Sequence, residues 1–103
     1  MVYNLIFSND FNSELNSVLD YISQNLDNPS AAKSLLSKVV NTTSLLKENP
    51  MLFPLYHNEK IAKQGFRYTV ISNYLLFYKV NEVKQTVELL HFIFGERNIP
   101  DIF

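Results

Sequence analysis

Phe11, Leu15, Val18, Leu19, Ile22 and Leu26 recur at three- and four-residue steps, with Asn12, Ser13, Asn16, Ser17, Asp20, Ser23 and Gln24 between them. This spacing puts the apolar side chains on one face of a helix, predicted from about Asp10 to Asn25. Ser8-Asn9-Asp10 offers capping oxygens at its start, and the preceding run Val2–Phe7 (VYNLIF) is β-rich. Asp27-Asn28-Pro29 ends that helix and begins another. Asn28 is a capping residue, and Pro29 suits the first helical position, where its missing N–H would have had no partner. Ala32, Leu35, Leu36, Val39, Val40, Thr43 and Leu46 make a second stripe, ending near Glu48-Asn49-Pro50. So short a link predicts an antiparallel helical hairpin with facing stripes.

Residues 50–65 hold two prolines, a glycine and several polar residues, and read as a long loop pinned by Met51, Leu52, Phe53, Leu55 and Ile61. From Phe66 the period changes. FRYTVIS, YLLFYKV and TVELLHFIF are dense in aromatic and β-branched residues, with joints at Asn73 and at Asn81–Gln85. A three-stranded antiparallel meander follows, and its near-continuous apolarity predicts partial cover on both faces, one of them by the hairpin. The fold class is α+β, β-α-α-β-β-β: an antiparallel sheet packed against an N-terminal helical hairpin. The register at Asn73 stays open, since the turn can take two or three residues and one residue of slip reverses every side chain.

Composition narrows the class. The 103 residues are 47% hydrophobic with only two Gly and four Pro, which fits one domain over residues 1–103 with its own core. The absence of cysteine excludes disulfides, thiol nucleophiles and thiolate metal sites. Val2–Phe7 has no basic n-region and is too short for a signal sequence, and no apolar run is long enough to span a bilayer. A cytoplasmic protein with no membrane partner is the expectation.

Net charge is −1, but it is unevenly spread. Residues 1–30 contain Asp10, Glu14, Asp20 and Asp27 with no Lys or Arg, whereas residues 58–80 carry Lys60, Lys63, Arg67 and Lys79 against Glu59 alone. The basic segment reads either as a phosphate-facing surface or as solvated cations beside a sheet. His91 shares strand alternation with Leu89 and Ile93, and reads as a packed imidazole or as a proton carrier. Tyr68, Tyr74 and Tyr78 read as core, as partner contacts or as base-stacking surfaces. His57 and His91 lack metal-ligand spacing, and neither a Gly-rich phosphate loop nor a serine nucleophile arrangement is present, so no metal and no cofactor are expected.

The run Ile71–Val80 (ISNYLLFYKV) followed by Thr86–Asn98 (TVELLHFIFGERN) resembles the core signature of RelE/ParE-type toxins, a strand with two spaced tyrosines, a turn, and an apolar strand ending in glycine, one residue and arginine. Asp20–Ile22 (DYI), Asn28–Ala32 (NPSAA) and Phe53-Pro54 are similar to ParE-like members as well, so the likeness runs through nearly the whole chain in order. It implies the growth-inhibitory toxin of a type II toxin–antitoxin module, of the plasmid stabilisation family, neutralised by a cognate antitoxin. That antitoxin would lay an extended or helical segment over the sheet and hairpin, and Tyr74, Tyr78, Phe92 and Phe94 are the expected contacts.

Two targets are implied. A ParE-like protein would act on DNA gyrase without catalysis. A RelE-like one would be a metal-independent endoribonuclease cleaving mRNA on the ribosome, a reaction that needs a base, a charge stabiliser and a leaving-group acid. Arg97 and Arg67 would then be catalytic, with His91 and Glu59 as weaker candidates and Lys60, Lys63 and Lys79 on the RNA phosphates. Arg97 also has a structural reading as a partner of Asp101. Leu75 and Glu96 stand where many members carry basic residues, and Phe103 where RelE-like nucleases place a tyrosine. These departures and the helix lengths favour the gyrase reading, while the basic 58–80 segment favours the nuclease. An interaction module of the same fold without toxicity is the third possibility.

Overall fold

Ser8 is the corner on which the first strand becomes the first helix. The computed structural model describes residues 2–95, 99 and 103. In it, strand β1 (Asn4–Phe7) stops at Ser8, whose Oγ accepts from the Phe11 N–H at 3.0 Å and so caps helix α1 (Asn9–Asp20). The same hydroxyl donates to the Leu90 carbonyl at 3.0 Å, and the Ser8 N–H donates to Leu89 at 2.9 Å. One short polar side chain thus caps the helix and fastens its start to the sheet.

Helix α1 does not end as an α-helix. Tyr21–Asn25 form a π-helical turn, closed by the Leu26 N–H on the Tyr21 carbonyl at 3.1 Å. The wider turn shifts the phase of the stripe, which is why Leu26, expected on the buried face, is 55% exposed. Asn28 caps helix α2 (Pro29–Glu48) by accepting from Ala31, with Pro29 in the first turn. Ala32, Leu35, Val39, Thr43 and Leu46 are buried along it, while Leu36 and Val40 face outward at the margin of the predicted stripe.

The segment read as loop contains a short helix, α3 (Glu59–Lys63), capped by Asn58 and stopped at Gly65, whose φ of 92° few other residues adopt. Strands β2 (Arg67–Ile71), β3 (Tyr74–Asn81) and β4 (Thr86–Phe94) form the expected antiparallel meander. The first joint is a two-residue turn, Ser72-Asn73, which fixes the register. Strand β1 joins the sheet beside β4 and parallel to it, giving the order β1-β4-β3-β2; the helices and meander supply the long crossover that parallel pairing requires.

Strands β3 and β4 change phase at one point. Phe77 pairs with His91 but Tyr78 pairs with Leu89, so Leu90 is an extra residue without a partner in β3. Because of this bulge Val87, Leu89 and Phe92 all face the helices, together with Leu76, Tyr78, Phe11, Leu15, Leu35 and Leu46. The opposite face buries Leu75 and Phe77 under Tyr56, Ile61, Phe66 and Ile99, with Leu90, Ile93 and Phe103 packed alongside. Both faces of the meander are covered, as its apolarity indicated.

Tyr78 is fully buried and ties down the chain after α2: its hydroxyl donates to Pro50 at 2.9 Å and accepts from the Phe53 N–H at 3.3 Å. Tyr78→Phe removes both bonds and leaves a carbonyl and an N–H without their partner. Urea denaturation is expected to show a loss of about 2 kcal/mol. Burial pushes the Tyr78 phenol above its ordinary pKa, outweighing the Phe53 N–H and the Arg67 cation, which favour the phenolate. The unfolded phenol ionises near about 10, so the folded protein holds this proton at pH values where the unfolded chain has lost it. Stability from Tyr78 is complete below that pH and falls as pH rises through the folded value. Alkaline denaturation curves of wild type are expected to be steeper than those of Tyr78→Phe.

Candidate functional site

The residues expected to surround an RNA phosphate do not converge. Arg67 pairs with Tyr78 on the helix side of the sheet, where its guanidinium donates to the Phe53 carbonyl at 2.7 Å. It is a clamp on the 50–55 segment, strengthened by the backbone bridge between Leu55 and Arg67. Lys79 faces the other side and lies over the Phe66 ring at 4.4 Å, a cation–π contact. Lys60 and Lys63 are exposed on α3, where Lys63 pairs with Glu59 at 3.4 Å. Arg97 and its possible partner Asp101 lie outside the described residues.

The face away from the helices is filled by aromatic rings. Tyr56 packs on Tyr68 and Phe77 at centroid distances of 4.9 and 5.0 Å, and Phe66 meets Phe103 at 4.3 Å. Phe103 also touches Phe77 at 5.0 Å and His91 at 5.4 Å. Phe103, which has no hydroxyl, therefore packs in this cluster as an apolar ring.

His91 finds an acidic partner that the sequence did not suggest. The bulge puts it on the same face as Ile93 but opposite to Leu89, a correction to the simple alternation expected for this strand. Its Nδ1 lies 3.1 Å from a Glu14 carboxylate oxygen, while Glu59 is held on α3. The same Glu14 oxygen accepts from the Phe92 N–H at 3.1 Å. Pairing of β1 with β4 ends at Leu89, so the Glu14 carboxylate occupies the β4 edge where β1 has stopped. The arrangement holds α1 to the sheet, and it sets the ring orientation of His91.

Of the four expected antitoxin contacts, Tyr78 and Phe92 are buried to 1% exposure or less and are core residues. Continuous apolarity in a strand cannot separate the two faces, which is why the sequence leaves Tyr78 open between core and partner contact and offers Phe92 as a contact. Tyr74 and Phe94 remain at the surface, with Phe94 59% exposed. Tyr74 stacks on Phe92 at 5.2 Å and meets Phe94 edge-on at 5.5 Å. With Ser17, Val18 and Tyr21 they line an open, mainly apolar groove of about 430 Å³ between α1 and the end of the sheet. Burial raises the Tyr74 phenol pKa, and the nearby Tyr21 phenol adds to the rise, so the Tyr74 hydroxyl keeps its proton in ordinary buffers. Glu14, Ser17 and Val18 on α1 and Tyr21 at the start of the π-helical turn follow one another at helical spacing on a single face. That spacing was the available signal for Tyr21 and Glu14, hidden because the stronger apolar stripe runs beside it.

Glu14→Ala leaves the Phe92 N–H without an acceptor and is expected to lower stability by about 1–2 kcal/mol in urea, whereas Glu14→Gln, which keeps an acceptor oxygen, is expected to retain most of it. Amide exchange at Phe92 is the direct readout, fast in Glu14→Ala and slow in Glu14→Gln.

Comparison with known proteins bears on the same architecture. The chain is similar to the toxin–antitoxin structure "Chromosomal ParDE TA system from P. aeruginosa", with a TM-score of 0.71 and 14% identity over 92% of this chain and 98% of that one. It is also similar to the RelBE2 toxin–antitoxin complex from Mycobacterium tuberculosis, with a TM-score of 0.66 and 17% identity over 91% and 99% of the two chains. At these identities the likeness speaks for the fold. No curated protein matches the sequence significantly. Among the described residues no helix is long and apolar enough to cross a membrane, and no three His, Cys, Asp or Glu side chains gather to hold a metal. The sequence profile of the "ParE toxin of type II toxin-antitoxin system, parDE" matches residues 5–99, and the chain belongs to that family.

Proposed function

We propose that this protein is a growth-inhibitory, cytoplasmic toxin that is neutralised by a cognate antitoxin and acts on DNA gyrase without catalysis. The observation that carries the gyrase half of this reading is the dispersal of the nuclease candidates among the described residues. Arg67 is committed to the Phe53 carbonyl on one face, Lys79 to the Phe66 ring on the other, and His91 to Glu14. Phosphodiester cleavage needs a base, a charge stabiliser and an acid within reach of one phosphate. A target bound through surface contacts makes no such demand. Support for an antitoxin partner comes from the family and from the two similar structures, both described as toxin–antitoxin systems.

Purified protein is expected to inhibit supercoiling by gyrase in vitro and to leave translated messages intact. Addition of the antitoxin encoded beside it is expected to restore supercoiling. Codon-phased cuts in translated mRNA, lost in Arg97→Ala, would replace this reading with the RelE-type nuclease. Harmless expression with neither effect would leave an interaction module of the same fold.

A further inference from the structure

Strand β2 lies at one edge of the sheet and pairs with β3 on one side only. The two-residue turn makes Ile71 and Tyr74 a hydrogen-bonded pair. Arg67, Thr69 and Ile71 therefore turn their N–H and C=O groups toward β3, and Tyr68 and Val70 turn theirs outward. The segment 54–56 covers the start of this outer edge. The Tyr56 N–H donates to the Phe66 carbonyl at 2.9 Å, and the Tyr68 N–H donates to the Pro54 carbonyl at 3.1 Å. The cover stops there, because Pro54 has no N–H to return to the Tyr68 carbonyl. Beyond it, the Val70 N–H and C=O and the Ser72 N–H have no backbone partner among the described residues, and the Val70 side chain is 57% exposed. Residues 68–73 (YTVISN) contain no charge and no proline, and the β2–β3 ladder has no bulge. The stretch lacks the features that usually keep sheet edges apart.

We infer that this edge pairs with the same edge of a second copy of the chain, antiparallel and about a two-fold axis at Val70, so that two sheets become one. The outward groups are symmetric about that residue. Val70 of each copy exchanges N–H···O=C bonds with Val70 of the other. Each Ser72 N–H faces the Tyr68 carbonyl of the other copy, the acceptor that Pro54 cannot serve. Length selects this occupant. The open stretch runs only from the 54–56 cover to the turn at Ser72-Asn73, and a strand continuing past Tyr68 meets the cover. In a second copy the turn itself carries the chain away at that point. The two Val70 side chains then stand opposite each other on one face and shield each other from water. Lys38, which lines a pocket with Ser72, does not meet its own copy, because antiparallel pairing points the two turns in opposite directions. So short an interface makes a weak dimer, with a Kd on the order of 100 μM. The pairing does not rest on the toxin reading above.

Sedimentation equilibrium of the purified protein, from about 10 μM to about 1 mM at low salt, is expected to show monomer and dimer in exchange. Val70→Lys and Val70→Glu each alter an exposed side chain, keep the backbone groups of β2, and set like charges opposite each other at the axis. Each is expected to weaken the dimer about tenfold, and an equimolar mixture of the two to return it to within about threefold of wild type. That recovery is specific to the register, since residue 70 opposes itself only when the axis passes through it. A wild-type protein that stays monomeric, a dimer indifferent to both variants, or a mixture that does not recover would each overturn the inference. Amide exchange at Val70 in the wild type tests the same pairing without any variant, and decides the matter if either variant fails to fold. It is expected to slow as protein concentration rises. Slowing only when the antitoxin encoded beside the gene is added would give the edge to that partner and remove the second copy.

Discussion

The structure depends on strands β3 and β4 being buried on both faces while remaining paired to each other. A regular ladder alternates without interruption, and here it could not satisfy both sides. An unbroken alternation from Val87 and Leu89 would send His91 into the helix-side core and turn Phe92 away from it. The extra residue Leu90 resolves the conflict by resetting the phase. Phe92 then meets Phe11 at 6.0 Å within the main core, and His91 moves to the face where Phe103 packs. Much follows from that reset. Where β1 ends, Ser8 reaches Leu90 and Glu14 takes up the Phe92 N–H.

The helical hairpin and the meander were legible because each has a strong period bounded by good punctuation. Asn28-Pro29 caps and starts α2, and the aromatic-rich runs after Phe66 become strands in order. Other features were not legible, for identifiable reasons. The π-helical turn at Tyr21–Asn25 leaves no compositional mark, so Leu26 was placed on the wrong face. The turn of helix at Glu59–Lys63 is too short for a period to register, though Asn58 is a proper cap. The bulge is invisible in a run as apolar as ELLHFIF, where every phase looks equally good. The candidate residues suffered most from this. Tyr78 and Phe92 belong to the interior, Arg67 to a clamp and His91 to a carboxylate on the first helix, whereas Tyr74 and Phe94 kept their place at the surface.

The aromatic residues divide into two chains of contact, one on each face. Phe7, Phe11, Phe92, Tyr74 and Phe94 run in sequence through the helix-side core and emerge in the groove beside Tyr21. Tyr68, Tyr56, Phe77, Phe66 and Phe103 form the other, closing over the face opposite α1 and α2. The first chain makes a surface from a core by letting its end protrude. The second makes a core from a surface by covering it. Family membership fixes the scaffold, and this partition of rings belongs to the individual chain.

The corner at Ser8 also bears on the order of assembly. Its hydroxyl bridges to a carbonyl 82 residues further along, and the strand it terminates pairs with the last strand of the sheet. The hairpin and the β2–β3–β4 meander are built from near neighbours and form at little entropic cost, but closing the sheet with β1 requires the two distant parts of the chain to meet. Until Thr86–Leu89 has emerged from the ribosome, β1 has no strand to join and Glu14 has no edge to fill. The sheet, and the wall that Phe94 gives the groove, are therefore completed only by the last strand. The groove beside Tyr21 exists only in molecules whose sheet is complete.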